Sequence, residues 1–97
     1  MSLKQFELEH ARLLILKELA QDNDYTSNEV VLRRVLKELG TSLSYDQFRT
    51  ELQWLSEQSL VTLDEVHKLQ IVQITTRGVD VADGTSRSPG IARSLPK

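Results

Sequence analysis

The apolar positions of this chain change their spacing several times, and each change marks an element. Over residues 3–21, Leu3, Phe6, Leu13, Leu14, Ile15, Leu16, Leu19 and Ala20 cover more than one helical stripe. A helix apolar nearly all round at Leu13–Leu16 must be covered on most sides, by its own domain or by a second subunit. Asp22-Asn-Asp-Tyr ends it as a loop. From about Ser27 to Leu39, Val31, Leu32, Val35, Leu36 and Leu39 share one face at about 100° per residue, which predicts a second helix. Thr26 and Glu29 fit a capping box at its start, and Gly40 a left-handed cap at its end. Thr41-Ser-Leu reads as a short connector with an edge-strand bridge. Ser44 and Gln47 form a second capping box, opening a third helix over residues 45–58. Its core stripe is Tyr45, Phe48, Leu52 and Leu55.

The spacing then shortens. Leu60–Val66 and Leu69–Ile74 are rich in aliphatic and β-branched residues and flank His67-Lys68, which predicts a hairpin. Thr75 can cap a short last helix from Arg77 to about Ala82, ended by Gly84. Beyond it, Ser, Gly and Pro recur without period. The predicted organisation is one domain over residues 1–84 and a flexible basic tail over residues 85–97. Three helices, a hairpin and a short helix make an α+β chain with the order of a small winged helix-turn-helix.

Composition narrows the classes. Ninety-seven residues, 39% hydrophobic and 27% charged, suit one small globular domain. A core of this size is marginal alone, so a partner subunit is expected to help. The chain has no cysteine, which excludes disulfides and thiolate zinc sites and fits a cytoplasmic setting. No apolar run approaches the roughly 20 residues of a membrane span. Glu7, Glu9 and His10 interrupt any signal-like start. The net charge of −2 is unevenly spread. Residues 1–84 carry nine Lys/Arg against fourteen Asp/Glu, a net of −5, whereas residues 85–97 carry Arg87, Arg93 and Lys97 and no acid.

One set of motifs carries a resemblance. Leu52-x-x-Leu55-x-x-x-x-Leu60-Val61, a hairpin, then Ile74-Thr75-x-x-Gly78 resembles winged-helix regulators of the MarR and ArsR type. Ser59 stands where that group usually has Gly. The whole chain is similar to a group of small winged-helix proteins of Mu-like phages and prophages. It shares the leucine-rich start, Tyr25-Thr26, Arg49-Thr-Glu-Leu-Gln-Trp-Leu, Leu60-Val-Thr-Leu and Gly90-Ile91. The resemblance implies a winged-helix fold and a regulatory role.

In such a fold the third helix would enter the major groove of double-stranded DNA. Ser44, Gln47, Arg49, Thr50 and Gln53 are then the base-reading candidates, with Arg suited to guanine and Gln to adenine. Arg33, Arg34 and Lys37 would hold phosphates, unless they pair with Glu29 or Glu38. His67 and Lys68 form the wing tip, and Arg87, Arg93 and Lys97 could act as an arm. Asp46, Glu51 and Glu57 oppose this reading, because carboxylates repel phosphate. A protein-docking module on the same scaffold therefore stays open. Leu13, Leu14, Ile15, Leu16 and Trp54 are the candidate partner interface, in a homodimer or with another protein. Glu7-x-x-His10 has helical ligand spacing but lacks the second pair and the carboxylates of a di-metal site. No phosphate-binding glycine loop or nucleophile elbow is present. The expectation is a non-enzyme without cofactor or metal.

Overall fold

A computed structural model describes residues 3–93, so Lys97 lies outside the described residues. The element order is α1 (Leu3–Gln21), β1 (Thr26–Asn28), α2 (Glu29–Glu38), α3 (Tyr45–Glu57), β2 (Val61–Val66), β3 (Leu69–Ile74) and α4 (Thr76–Asp83). This is a winged helix-turn-helix: α2 and α3 form the helix pair, and β2 and β3 form the wing. The three strands pair antiparallel in the order β1-β3-β2.

The all-round apolar stretch of α1 is covered by the chain's own domain. Leu13, Ile15 and Leu16 join Ala11 and Leu19 in the core, with Leu32, Leu36, Phe48, Leu52, Leu55, Leu60, Val72 and Val81. The expected partner-interface role of Leu13, Ile15 and Leu16 is thereby corrected, since their surface is already buried inside one chain. Leu14 is half-buried against that core. Only the first turns of α1 stand clear, with Leu3 75% and Phe6 56% exposed.

Three sequence expectations change in detail. The edge strand falls at Thr26–Asn28, before α2, and not in the connector at Thr41–Leu43. Thr26 therefore pairs with Gln73 in the sheet, and Asn28 caps α2 by accepting from the N–H groups of Val30 and Val31 at 3.0 Å. Val31 and Leu39, placed on the core stripe, are about half exposed, and the buried stripe is Glu29, Leu32 and Leu36. The Ser44 cap is as expected, its hydroxyl accepting from the Gln47 N–H at 3.1 Å.

Helix ends explain the special residues. Gly40 (φ +92°) ends α2 by donating to Lys37 O, while the Thr41 N–H reaches Leu36 O. Ser59 ends α3 in the same way at φ +62°, donating to Ser56 O while Leu60 donates to Leu55 O. A serine thus occupies a left-handed position that favours glycine. At the other end of the wing, the Thr75 hydroxyl accepts from the Gly78 N–H and donates toward the carbonyls of Ser59 and Leu60. A side chain on Gly78 would collide with Leu60 O and Ile74, so α4 can rest on the start of β2 only with glycine there.

The segment after α4 is packed as far as it is described. Ile91 is 8% exposed, the Ala92 N–H donates to Glu9 O at 3.1 Å, and Arg12 Nη1 donates to Gly90 O at 2.9 Å. Of the tail expected over residues 85–97, the part through Arg93 runs as a strap along α1, and residues 94–97 lie outside the described residues.

Candidate nucleic-acid interface

On α3 the residues 46, 50, 53 and 57 fall in one row at helical spacing, and all four are exposed. They are Asp46, Thr50, Gln53 and Glu57, so the outward ridge carries two carboxylates and no cation. The Thr50 hydroxyl is occupied, donating to Asp46 O at 3.0 Å. Ser44 caps the helix. Gln47 is half-buried, beside Leu3, Glu7 and Leu43 in the groove between α1 and the α2–α3 turn.

Arg49, the helix's one basic residue, points to the wing side. Its Nε and Nη2 donate to the two carboxylate oxygens of Glu29, at 2.7 and 2.9 Å. Nη2 also reaches the Tyr45 hydroxyl and Lys68 O, each at 3.2 Å. Glu29 is fully buried and accepts a further hydrogen bond from the Gln70 N–H. The Arg49 guanidinium, chiefly, holds the Glu29 carboxyl down at about 2, against the opposing effect of burial, with help from Tyr45 and the Gln70 N–H. The same carboxylate pushes the Tyr45 phenol upward. One ion pair therefore ties α2, α3, the wing turn and β3 together. The guanidinium fork of Arg49 is engaged here and does not stand free as a base reader.

The α2 cations are differently placed. Arg33 Nε donates to Leu43 O at 3.0 Å, across the turn between the two helices. Arg34 and Lys37 are exposed and have no ion pair among the described residues. The pairing of this cluster with Glu29, weighed from sequence, is excluded because Glu29 is taken by Arg49. With Val30, Ser42, Leu43 and one carboxylate, Glu38, the three cations line an open cleft of about 410 Å³. At the wing tip His67 and Lys68 are exposed, both at positive φ (+52° and +67°), as a two-residue turn between paired strands requires.

A second buried pair lies behind α3. Arg12 of α1 donates to Glu51 at 2.5 Å, stacks over the Trp54 ring at 4.1 Å and holds Gly90 O. Glu51 is 3% exposed. Trp54, a candidate for a partner interface, is instead packed within the chain, between Arg12 and the strap. A side chain on Gly90 (φ +89°) would run into that ring. Arg87 and Arg93 are exposed on the strap.

Sequence reading missed both pairs, Glu29–Arg49 and Arg12–Glu51. A signal existed: Glu29 lies three and seven residues before Leu32 and Leu36, on their stripe, and Glu51 borders Leu52 and Leu55. A carboxylate on an apolar stripe requires a buried cationic partner. Among the described residues no three acidic, His or Cys side chains gather as a metal site, and no helix is long and apolar enough to cross a membrane.

The chain matches no protein-family profile. It is 38% identical over 89 residues to the uncharacterized protein gp26 of Escherichia phage Mu, covering 92% of each chain. It is 33% identical over 78 residues to an uncharacterized protein of Haemophilus influenzae, covering 79% of this chain and 76% of that one. Among solved structures it resembles ZitR of Lactococcus lactis, a mutant in apo form, with a TM-score of 0.58 and 23% identity. That likeness covers 74% of this chain and about half (51%) of ZitR, and it concerns the fold.

Proposed function

The chain belongs to the family of the phage Mu protein gp26, and on that premise we propose that it is a DNA-binding winged-helix protein of phage or prophage type, a transcriptional regulator or accessory factor. The observation that carries this reading is the pair Arg34 and Lys37, exposed and without an ion pair among the described residues, beside Arg33 on the first helix of a helix-turn-helix. In this fold that helix crosses the phosphate backbone. Arg33, Arg34 and Lys37 hold phosphates, Lys68 and His67 of the wing flank the duplex, and Thr50 and Gln53 face the groove, with Ser44 at the start of the helix. Arg49 acts as a positioning residue that sets α3 against α2 and the wing. The protein works as a homodimer in the cytoplasm, with its contact at the exposed first turns of α1, around Leu3 and Phe6. MarR- and ArsR-like proteins are the wider group it falls in.

A salt series of fluorescence-anisotropy titrations on mixed-sequence duplex tests the reading. Arg34→Gln and Lys37→Gln each remove one cation from the phosphate backbone, and each should lower the slope of log K against log salt by about 1. Identical slopes for wild type and both variants would remove the phosphate role of α2.

A second reading, a protein-docking module, is favoured by the carboxylates Asp46 and Glu57 on the outward ridge of α3. In that case duplex DNA goes unbound even at low salt, and charge reversal at Asp46 and Glu57 abolishes capture of the partner.

A further inference from the structure

The outward ridge of α3 carries a carboxylate at each end. Asp46 stands in the first turn and Glu57 in the last, about 16 Å apart along the axis at a rise of about 1.5 Å per residue. Both are exposed, and neither has an ion pair among the described residues. Between them the Thr50 hydroxyl donates to Asp46 O, which leaves Gln53 as the one long neutral side chain of the ridge. No cation offsets the two charges locally. Arg49 is engaged by Glu29, and Arg12, behind the helix, by Glu51. The exposed cations lie on other elements. Arg33, Arg34 and Lys37 share the α2 face with one carboxylate, Glu38, whereas Lys68 at the wing tip is accompanied by Asp64 and Glu65.

A helix in the major groove has a row of phosphates on either side, so a carboxylate on it is repelled from both. Among base edges a carboxylate suits the amino group of cytosine, and it is faced by acceptor atoms on guanine and thymine. The commonest specific contact, a bidentate Arg or Lys on guanine, has no side chain on this ridge to make it. Phosphate contact carries no sequence information, and the α2 cations are placed to supply it. We infer that the protein takes duplex DNA without regard to sequence: α2 holds the phosphates, and the carboxylates of Asp46 and Glu57 keep α3 off the base edges. Binding of this kind rests on the DNA reading above and narrows its ligand to the duplex backbone, whatever the base order.

Two measurements on the full chain decide it. The first is a selection from short random duplexes, followed by anisotropy titration of the most and the least enriched sequences. Their dissociation constants should agree within about tenfold, where sequence-specific proteins separate such duplexes by about 10³ or more. The slope of log K against log salt should be about −3 for both, as three phosphate contacts give. The second compares wild type with Asp46→Asn and Glu57→Gln on one mixed-sequence duplex. Each substitution removes a charge that repels phosphate, so each should bind about two- to fivefold tighter at low salt. A sequence bound more than tenfold tighter than the rest overturns the inference, and loss of that preference in Gln53→Ala or Asp46→Asn names the base reader. Unchanged affinity in both carboxylate variants overturns it as well, because α3 then stays clear of the duplex altogether. If no duplex binds even at low salt, the DNA reading itself falls, and the inference with it. The two failures are therefore distinct.

Discussion

The Arg49 guanidinium lies on the Glu29 carboxylate through two hydrogen bonds of 2.7 and 2.9 Å, with Glu29 wholly inside the domain. The cation that looks most like a base reader is thus the bolt between α2, α3 and the wing.

Arg49→Ala should cost stability before it costs recognition. Removing the guanidinium leaves the buried Glu29 carboxylate without its counter-ion, which destabilises the folded state. Chemical denaturation should show that loss, and a double-mutant cycle with Glu29→Gln should show strong coupling. Destabilisation under about 0.5 kcal/mol, the level of an ordinary surface change, would contradict the bolt and return Arg49 to the groove.

The same pair sets a pH dependence. Glu29 titrates near 2 in the folded chain, below its ordinary value of 4.5, so the folded state prefers the carboxylate. Its contribution is complete above pH 4.5 and disappears as pH falls from about 4.5 toward 2. Wild type should therefore lose stability through that interval more steeply than Glu29→Gln, as followed by urea midpoints at stepped pH. Parallel curves would show that the carboxylate is not held by Arg49.

Ser59→Gly should stabilise the domain. Ser59 ends α3 at φ +62°, where a Cβ is unfavourable by about 1 kcal/mol. The replacement should raise the urea midpoint with an unchanged slope. A lower midpoint would mean that the Ser59 side chain stabilises the domain through something other than the backbone turn.

The wing tip obeys the same logic twice over. His67 and Lys68 both hold positive φ in a two-residue hairpin turn, the setting that Asn-Gly fills best. Replacing them by Asn-Gly should slow amide exchange along β2 and β3. If DNA affinity falls while exchange slows, the side chains of the tip touch the duplex. Faster exchange would refute the turn assignment.

Gly90→Ala should release the strap. A Cβ there would sit 2.7 Å from the Trp54 ring and 3.2 Å from Arg12 Nη1. Trp54 fluorescence should shift to the red and the chain should become sensitive to proteolysis after Gly84. An unchanged emission spectrum would show that the strap does not lean on the ring.

Local pattern decided much of this protein. Leu32 and Leu36 on α2, Phe48, Leu52 and Leu55 on α3, the Ser44 and Thr75 caps, Gly40, Gly84 and the paired β-runs were legible because each depends on neighbours within a few residues. What lay beyond that range was not. Thr26–Asn28 became a strand because β3 offers it an open edge, and that edge lies more than forty residues along the chain. Through Arg93 the expected tail became a strap because Arg12, Glu9 and Trp54 meet it from α1 and α3. Arg49 was counted as a free cation because charge in a sequence carries no partner. Only the folded backbone brings Glu29 across from α2, where a carboxylate without water must find its counter-ion. Period and capping are properties of a segment, whereas pairing, burial and the availability of a charge are properties of the surfaces that segments turn toward one another.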